Sequence, residues 1–431
     1  MPQTFHIISL GCTKNLVDSE KVLTTLQNAG YSFCEDEKKA DIIIINTCGF
    51  ISDAKKESVD EIVKLVKFKK KNKVKIIVFG CLVQRYKEEL KKELPEVDWF
   101  FGVNAQDEIL KVLGPVGCLE KFAGAYCNTP LRSSHIGYLK IAEGCSNRCS
   151  YCAIPLIRGD FRSFPKEEIF KDLDALIKSG ATEINIIAQD TSLYGKDIYK
   201  NYFLENLISD ISSHSEIKWI RVLYTHPRHV KKELLKEIAE NPKVCKYIDL
   251  PLQHISENML TKMERHVSKS EILNLISDIK KFDIKLRTSF IVGFPGETEN
   301  DFCELLQFIE QTEFERLGVF KYSREENTRA FDYENQIEDD VISERYNDVM
   351  LVQSEISIKK NNALVGLIID VIIDAPYKKG FIGRASWDAP DVDGTVFITK
   401  AKDLKPGDIV KVKIVSATHY DLGAVLYESA K

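Results

Sequence analysis

The sequence lacks a long hydrophobic run, since its longest purely aliphatic stretch is only Ile42 to Ile45. A helix that spans a bilayer needs about 20 apolar residues, so this absence excludes a membrane bundle. The first residues, Met-Pro-Gln-Thr-Phe-His, include neither a basic segment nor an apolar one, which predicts that no signal peptide is present. We therefore expect a cytoplasmic protein with no membrane partner.

The sequence also lacks an excess of positive charge and any low-complexity segment. It has 60 basic and 65 acidic residues, a net charge of −5, which excludes a chain-wide basic surface for nucleic acid. Its hydrophobic fraction of 44% is ordinary for a globular protein. At about 150 residues per domain, a chain of 431 residues is predicted to form two or three domains.

Cysteine, in contrast, is abundant, with 11 residues in the chain. Thiols stay reduced in the cytosol, so cysteines there indicate metal ligands or redox groups rather than disulfides. The odd number favours the same interpretation. The candidate sites are thus the places where cysteines recur in a pattern.

Hydrophobic periodicity predicts an α/β chain of three domains. Residues 3–118 repeat an apolar run and a helical pattern three times, which predicts a parallel sheet covered by helices. Glycine, proline and small polar residues follow, so residues 119–134 are interpreted as a linker. Residues 135–361 hold six more strand–helix repeats, which predict a partial (β/α)6 barrel with its site at the carboxyl ends of the strands. Residues 363–431 hold five short strands and predict a small antiparallel β-barrel.

Cys145, Cys149 and Cys152 form a CxxxCxxC motif directly after the first predicted strand of the barrel. Three thiolates within eight residues can hold three corners of a cubic iron–sulfur cluster and leave its fourth iron free for a small molecule. A zinc site is the alternative interpretation. Structural zinc takes four ligands, however, and no fourth cysteine or histidine stands at a fitting spacing.

A second set of cysteines, Cys12, Cys48 and Cys81, is distributed over residues 3–118. Each stands where a predicted strand ends, in SLGC, INTC and FGC. The carboxyl ends of parallel strands gather in one crevice, so the three thiols are predicted to converge on a second three-thiolate cluster site. The alternative is that each is a small buried hydrophobic residue, which is common for cysteine.

The CxxxCxxC motif and its barrel resemble the radical S-adenosylmethionine enzymes, and the whole chain resembles their methylthiotransferase family, which ends in a TRAM barrel. The resemblance implies a transferase that converts C–H to C–SCH3. Its cofactors would be two 4Fe-4S clusters and S-adenosyl-L-methionine, used as both methyl donor and radical source. No catalytic side chain is implied beyond the six cluster ligands, Cys12, Cys48, Cys81, Cys145, Cys149 and Cys152.

The resemblance also implies a set of residues that contact S-adenosylmethionine. Tyr151 would lie beside the adenine, and the glycines of the run from Ser289 to Glu297 would permit a close backbone approach to the adenosyl group. Polar residues on and after the second barrel strand are further candidates. The complete set is Tyr151, Glu183, Gln189, Gly293, Gly296 and Glu297.

Within that family, the strings SLGCTKNLVDSE, DLPLQHIS, FKYSREENTRA and GRASWDAPDVDG resemble the branch that methylthiolates the β-carbon of an aspartate in small-subunit ribosomal protein twelve. This resemblance implies that protein as the substrate, free or in the ribosomal subunit, together with a sulfur source and an electron donor such as flavodoxin or ferredoxin. Two alternatives stay open, a tRNA adenosine methylthiotransferase and a non-catalytic iron–sulfur binding protein. Asn327 stands where the family commonly has glycine, but asparagine tolerates a left-handed backbone.

The charge of the carboxyl-terminal region bears on the substrate. Residues 363–431 contain nine Lys or Arg and nine Asp or Glu, whereas an RNA-binding module normally has a basic excess. The acidic cluster Asp388, Asp391 and Asp393 would suit a basic ribosomal protein, or its members simply form turns.

Two other polar groups are predicted to have no chemical role. They are Thr225–His229 and Glu325–Glu326.

Overall fold

The computed structural model describes residues 3–115, 131–399 and 401–427. Residues 116–130, which include most of the predicted linker together with Cys118 and Cys127, lie outside the described residues. The described chain forms a five-stranded sheet, a six-stranded sheet and a closed five-stranded barrel, which confirms the predicted α/β architecture. Among the described helices, none combines the length and the apolar character that crossing a bilayer requires.

The N-terminal sheet is entirely parallel, with the strand order β2-β1-β3-β4-β5. Its central strand, β3 (Ile42–Thr47), is buried at every residue, which explains the unbroken isoleucine run in the sequence. The three predicted strands are present, and the other two have only two and three residues, too short for periodicity to reveal. The remaining elements are β1 Thr4–Ser9, α1 Thr13–Asn28, β2 Ser32–Phe33, α2 Ser52–Lys69, β4 Lys75–Gly80, α3 Cys81–Glu93, β5 Trp99–Phe101 and α4 Gln106–Leu113.

The central sheet has six parallel strands in the order β13-β12-β11-β10-β9-β6 and is open between its first and last strands, as a partial barrel should be. Helices on its outer face pack on a large apolar core. The barrel strands are β6 Ile136–Lys140, β9 Glu183–Ile187, β10 Trp219–Val222, β11 Val244–Asp249, β12 Lys285–Val292 and β13 Arg316–Lys321, and a two-stranded ribbon pairs β7 Ala142–Glu143 with β8 Arg162–Ser163. The helices are α5 Ile154–Arg158, α6 Lys166–Lys178, α7 Leu204–Ser212, α8 Lys232–Glu240, α9 Glu257–Lys262, α10 Lys269–Lys281, α11 Glu299–Thr312 and α12 Asp339–Ala363.

The carboxyl-terminal barrel closes in the order β14-β15-β16-β18-β17. Four of its pairings are antiparallel, and β16 pairs with β18 in parallel, a detail that alternation in the sequence does not reveal. Its strands are β14 Ile368–Tyr377, β15 Gly380–Ala385, β16 Val396–Thr399, β17 Ile409–Ala417 and β18 Leu422–Leu426.

The loop 386–394, called the plug below, joins β15 to β16 and enters the six-stranded barrel. Trp387 and Ala389 share an apolar cluster with Tyr138 and Tyr247 of the barrel strands. The backbone carbonyl of Ser386 accepts a hydrogen bond of 2.6 Å from the fully buried Arg221 of β10. The plug therefore fills the barrel from the side opposite to the cysteine loop that follows β6.

The acidic cluster of the plug is used inside the chain. Asp388 pairs with Arg316 at 2.6 Å, and Asp393 lies 3.3 Å from Arg287 of the barrel. Burial raises the pKa of Asp388 to about 6 against the opposing charge of Arg316. The hypothesis that this cluster receives a basic partner is therefore wrong for Asp388 and Asp393, whose carboxylates are taken by barrel arginines.

Candidate cysteine sites

Cys12, Cys48 and Cys81 meet at the carboxyl edge of the N-terminal sheet, as the strand ends predicted. Cys12 precedes α1, Cys48 follows β3, and Cys81 begins α3. Gly11 has a left-handed φ of +87°, and a Cβ built there would lie 3.0 Å from the sulfur of Cys48. Ser58 of α2 fixes the Cys48 backbone through two hydrogen bonds of 3.0 Å. The position before Cys12 thus needs glycine, because the chain there lies against the second cysteine.

The three thiols of this N-terminal triad differ in their acidity. Burial raises the pKa of Cys48 to about 12, and repulsion from the thiolates of Cys12 and Cys81 adds to the rise. Cys12 has a lowered pKa, because Lys14, Arg158 and the backbone amides at the start of α1 outweigh its desolvation. Cys12 is thus the thiol most ready to ionise and to bind a metal centre.

Cys145, Cys149 and Cys152 lie on the loop between β7 and α5, after the first barrel strand. The loop is fixed at both ends, since the Cys145 amide donates to Gly159 O at 3.1 Å and the Ser150 amide to Met263 O at 3.0 Å. Burial raises the pKa of Cys145 to about 11 and that of Cys152 further, with repulsion from Cys149 contributing to both. This barrel triad therefore forms a second compact group of thiols.

The number of thiols in each triad bears on the kind of metal centre that it fits. A structural zinc ion takes four ligands, whereas three thiolates can hold three corners of a cubic iron–sulfur cluster and leave its fourth iron free. Each triad supplies three free thiols. Among the described residues, a separate buried group, Asp190, His226 and His229, brings its ligand atoms within 4.8 Å of one another.

The short helix α5 connects the two triads. Its N-cap, Ala153, follows Cys152 directly and packs with Cys81 and Ile157 in one buried cluster. At its other end Arg158 donates to the Cys81 sulfur at 3.6 Å and to Asn15 Oδ1 at 2.7 Å. One turn and a half of helix thus extends from a ligand of the barrel triad to a ligand of the N-terminal triad.

Arg158 belongs to a buried network of four charges. It pairs with Asp18 of α1 at 2.9 Å and with Glu143 of β7 at 3.0 Å, and Lys140 pairs with the same two carboxylates at 2.6 and 2.8 Å. Burial alone would raise the pKa of Glu143, but Lys140 and Arg158 lower it to about 2. Two cations and two anions therefore balance beside the N-terminal triad.

The barrel triad has its own buried arginine, Arg265, in the loop after α9. Its Nη1 lies 3.5 Å from the Cys149 sulfur and 3.5 Å from the Tyr151 hydroxyl, and its Nη2 donates to Pro251 O at 2.6 Å. The Nε atom is buried and has no hydrogen-bond partner in the described structure. Tyr151 makes an edge contact with Phe294 of the predicted glycine run, so these two predicted regions meet.

Gln189 lies beside the charge network, where its Nε2 donates to Glu143 at 3.0 Å and its Oε1 is buried without a partner in the described structure. Glu183, in contrast, is not at either triad. It begins β9 at the opposite end of the barrel, where Arg384 binds both of its oxygens, at 2.6 and 3.0 Å. The structure therefore corrects the prediction that Glu183 contacts S-adenosylmethionine.

The glycine run after β12 has a structural explanation that the sequence did not suggest. A Cβ on Gly293 would lie 2.4 Å from Ile342 of α12, and one on Gly296 would lie 2.6 Å from Lys262. Glu297 is buried, accepts a hydrogen bond from the Gly293 amide and faces Arg345 at 3.4 Å. Both glycines thus accommodate neighbouring side chains, and Glu297 stabilises the turn; their approach to the adenosyl group stays a prediction.

The Thr225–His229 segment, which received no role, contributes to a buried polar group beside the cysteine loop. Asp190 accepts from His229 at 2.7 Å and from Asn147 of the loop at 2.8 Å. Burial and the charge of Arg265 lower the pKa of His226 well below its usual range, and its Nε2 has no partner in the described structure. His226 is therefore neutral, and because its Nδ1 accepts from the Arg228 amide at 3.2 Å, its unpartnered Nε2 is a donor at the barrel site.

Glu325 is a contact between the two halves of the site that sequence reasoning missed. Its carboxylate is 2% exposed and pairs with Arg85 of α3 at 2.6 Å and with Lys55 of α2 at 2.9 Å. Asn327, two residues later, has a left-handed φ of +64°, as expected for a position usually held by glycine.

Asn15 and Asp18 of α1 were also missed as residues of the site, although the sequence contained a signal for them. They are polar residues at positions i and i+3 on a helix face that also carries apolar residues.

Three protein families match successive parts of the chain. The family described as Uncharacterized protein family UPF0004 matches residues 4–102, the Radical SAM superfamily matches residues 139–309, and the TRAM domain matches residues 365–426. These ranges contain the N-terminal triad, the barrel triad and the closed barrel, respectively.

Curated relatives match over the full length. The ribosomal protein uS12 methylthiotransferase RimO of Acetivibrio thermocellus is 44% identical over 453 residues and covers 100% of both chains. The proteins of the same name from Clostridium botulinum and a Thermoanaerobacter species are 43% and 44% identical, with at least 96% of each chain covered.

Solved structures resemble the fold at low identity. The radical S-adenosylmethionine methyltransferase TsrM from Kitasatospora setae aligns with a TM-score of 0.56 at 12% identity, covering 74% of this chain and 75% of that one. The cobalamin-dependent radical enzyme OxsB aligns with a TM-score of 0.51 at 13% identity, covering 82% of this chain and 56% of that one. At these identities the likeness concerns the fold alone.

Proposed function

The chain belongs to the RimO family of radical S-adenosylmethionine methylthiotransferases, and from this membership we propose that it replaces a hydrogen on the β-carbon of an aspartate of ribosomal protein uS12 with a methylthio group. The name of the relatives supplies the substrate protein. The aspartate and its β-carbon are the expectation drawn from the sequence strings that resemble the protein-modifying branch.

Six cysteines are proposed to hold two 4Fe-4S clusters, one on Cys12, Cys48 and Cys81 and the other on Cys145, Cys149 and Cys152. Support comes from the three free thiols in each group and from the match of residues 139–309 to the Radical SAM superfamily. When bound, the two clusters and S-adenosylmethionine supply one-electron chemistry that removes a hydrogen atom from carbon, and a sulfur for the carbon so activated.

The protein side chains hold and orient these groups. Arg158 and Asn15 fix the Cys81 side of the N-terminal triad, and Arg265 contacts Cys149 and Tyr151 of the barrel triad. Tyr151 and Gln189 remain proposed contacts of S-adenosylmethionine, because both lie beside the triads and Gln189 keeps a buried acceptor free. The plug excludes water from the far end of the barrel.

The rest of the proposal concerns organisation and partners. Residues 3–118, 135–361 and 363–431 are proposed as three domains that each contain one of the described sheets. The reaction needs one electron from a donor such as flavodoxin or ferredoxin and sulfur from a separate source, and we place it in the cytoplasm.

The observation that carries the proposal is the connection of two three-cysteine groups through the short helix α5. The test reconstitutes the chain with iron and sulfide and supplies S-adenosylmethionine, dithionite and either purified uS12 or total tRNA. We expect 5′-deoxyadenosine and a uS12 peptide heavier by one methylthio group in place of one hydrogen.

The other outcomes separate the alternatives. Label from methyl-labelled S-adenosylmethionine that enters tRNA adenosine and not uS12 would assign the chain to the tRNA-modifying branch. Reconstituted protein that forms no 5′-deoxyadenosine, although it contains its iron, would favour the non-catalytic iron–sulfur protein.

A further inference from the structure

Each cysteine triad has one buried arginine in contact with a ligand sulfur, and the two arginines differ in how their charges are balanced. Arg158 lies 3.6 Å from the Cys81 sulfur, and Arg265 lies 3.5 Å from the Cys149 sulfur. Their side chains are almost completely buried. The geometry relative to sulfur is thus nearly the same at both sites.

The two guanidinium groups differ in whether an acid balances their charge. Arg158 shares Asp18 and Glu143 with Lys140, so two positive and two negative charges cancel within 3.0 Å contacts. Arg265 contacts a carbonyl, a phenol and a sulfur, and within the described residues no carboxylate lies at ion-pair distance from it. Asp190, an acid that acts on it from farther away, is already bound by His229.

We propose that Arg265 is a positioning residue of the barrel cluster whose unbalanced charge raises the reduction potential of that cluster. The inference rests on the proposed function, since it requires a cluster on each triad. Reduction adds one electron, taken from the reductant, and therefore one negative charge to the cluster. A nearby cation stabilises that charge, and hydrogen bonds to the ligand sulfurs act in the same direction. At the N-terminal triad, Arg158 adds no net charge because its own network is balanced, and Lys14 is the cation that acts on Cys12.

The consequence concerns the electron that cleaves S-adenosylmethionine. With Arg265 in place, a one-electron donor of the flavodoxin or ferredoxin class would reduce a larger fraction of the barrel cluster than it would in a variant that lacks this charge.

The experiment uses the full chain in two backgrounds that each keep one cluster. Alanine at Cys12, Cys48 and Cys81 leaves the barrel cluster, and its reduced fraction is followed by electron paramagnetic resonance as the solution potential is varied. Arg265→Met should lower the ratio of reduced to oxidised cluster at least about tenfold at the potential that half-reduces the parent, a shift of about 59 mV for one electron. Arg265→Lys, which keeps the charge, should change the ratio much less.

The matched control lies at the other triad. In the background with alanine at Cys145, Cys149 and Cys152, Arg158→Met should also lower the potential, because it leaves one carboxylate unbalanced. The double variant Arg158→Met with Glu143→Gln restores the balance and should return the potential close to that of its parent. Arg265→Gln provides a second neutral variant if the methionine variant does not hold its iron.

Several results would overturn the inference. One is an Arg265→Lys variant whose barrel-cluster potential falls as far as that of Arg265→Met. Another is an unchanged potential in Arg265→Met or Arg265→Gln at full iron content, and loss of S-adenosylmethionine binding in that case would assign Arg265 to the cosubstrate. Failure of either parent to bind about four irons would instead refute the proposed clusters, so the two failures can be distinguished.

Discussion

The barrel triad takes Cys145, Cys149 and Cys152 from eight consecutive residues of one loop, whereas the N-terminal triad takes its cysteines from three strand ends that are 36 and 33 residues apart. The loop needs only its own turn and a few backbone hydrogen bonds to gather its thiols. The N-terminal triad needs the correct order of three parallel strands. A change that weakens the N-terminal sheet should therefore empty one site and leave the other filled.

The largest expected effect comes from removing either triad completely. Alanine at Cys12, Cys48 and Cys81 should remove about four of about eight irons and abolish methylthio transfer, while 5′-deoxyadenosine still forms. Alanine at Cys145, Cys149 and Cys152 should remove the other four irons and the nucleoside as well. Iron analysis and chromatography of the nucleoside measure both effects, and loss of all iron from either variant would contradict two independent sites.

Glu325→Gln tests the contact that holds the N-terminal triad against the barrel. It leaves Arg85 buried without its carboxylate, and breaking such a pair costs about 3–5 kcal/mol. We expect a lower thermal midpoint and a selective loss of iron from the N-terminal triad. The control is Glu326→Gln, an exposed neighbour whose new amide oxygen can still accept from the Tyr86 hydroxyl, so it should change stability by less than about 1 kcal/mol. Equal iron loss from both triads would refute the selective effect.

Gly11→Ala should weaken the N-terminal triad by a smaller amount. The new Cβ would lie 2.7 Å from the Cβ of Cys48 at a left-handed φ, and we expect a cost of about 1–3 kcal/mol with reduced iron occupancy. Gly366 has a φ of +93° and nothing within 4 Å of the same position, so Gly366→Ala separates backbone strain from the clash. Similar iron loss in both variants would show that the clash with Cys48 is unimportant.

The smallest effect concerns His226 beside the barrel triad. Its pKa in the folded chain is well below the ordinary value of 6.5, so as the pH falls below about 6.5 the unfolded chain takes up a proton that the folded chain does not. The wild type should therefore lose about 1.4 kcal/mol of stability per pH unit below that value relative to His226→Gln. Thermal midpoints of both proteins between pH 7.5 and 5.5 measure the difference, and parallel curves would refute it.

The two triads also differ in how far their surroundings could be predicted. Spacing alone revealed the barrel triad, and the pattern of strands ending in cysteine revealed the N-terminal triad. The arginines were missed, because Arg158 is 77 residues from Cys81 and Arg265 is 116 residues from Cys149. No local pattern records such contacts.

Glu183 shows that a contact with a distant residue can also remove a role that the sequence predicts. The sequence places it on a barrel strand, where a polar residue suggests a ligand contact. Its partner, Arg384, is 201 residues away in the closed barrel, so only the three-dimensional structure shows that its charge is already balanced. The packing role of the glycines at positions 293 and 296 was missed for a similar reason, because the side chains that require them come from α12 and from Lys262.

The plug has a consequence for how the chain matures during synthesis. Residues 386–394 leave the ribosome after every strand of the six-stranded barrel, yet they provide the partners of Arg221, Arg287 and Arg316. Until translation is nearly finished, Arg316 of the nascent barrel lacks its counter-ion Asp388, although Glu183 and Asp249 of the barrel strands already face Arg221 and Arg287. Truncation within the last 50 residues would therefore disturb the catalytic barrel as well as the small domain that it shortens.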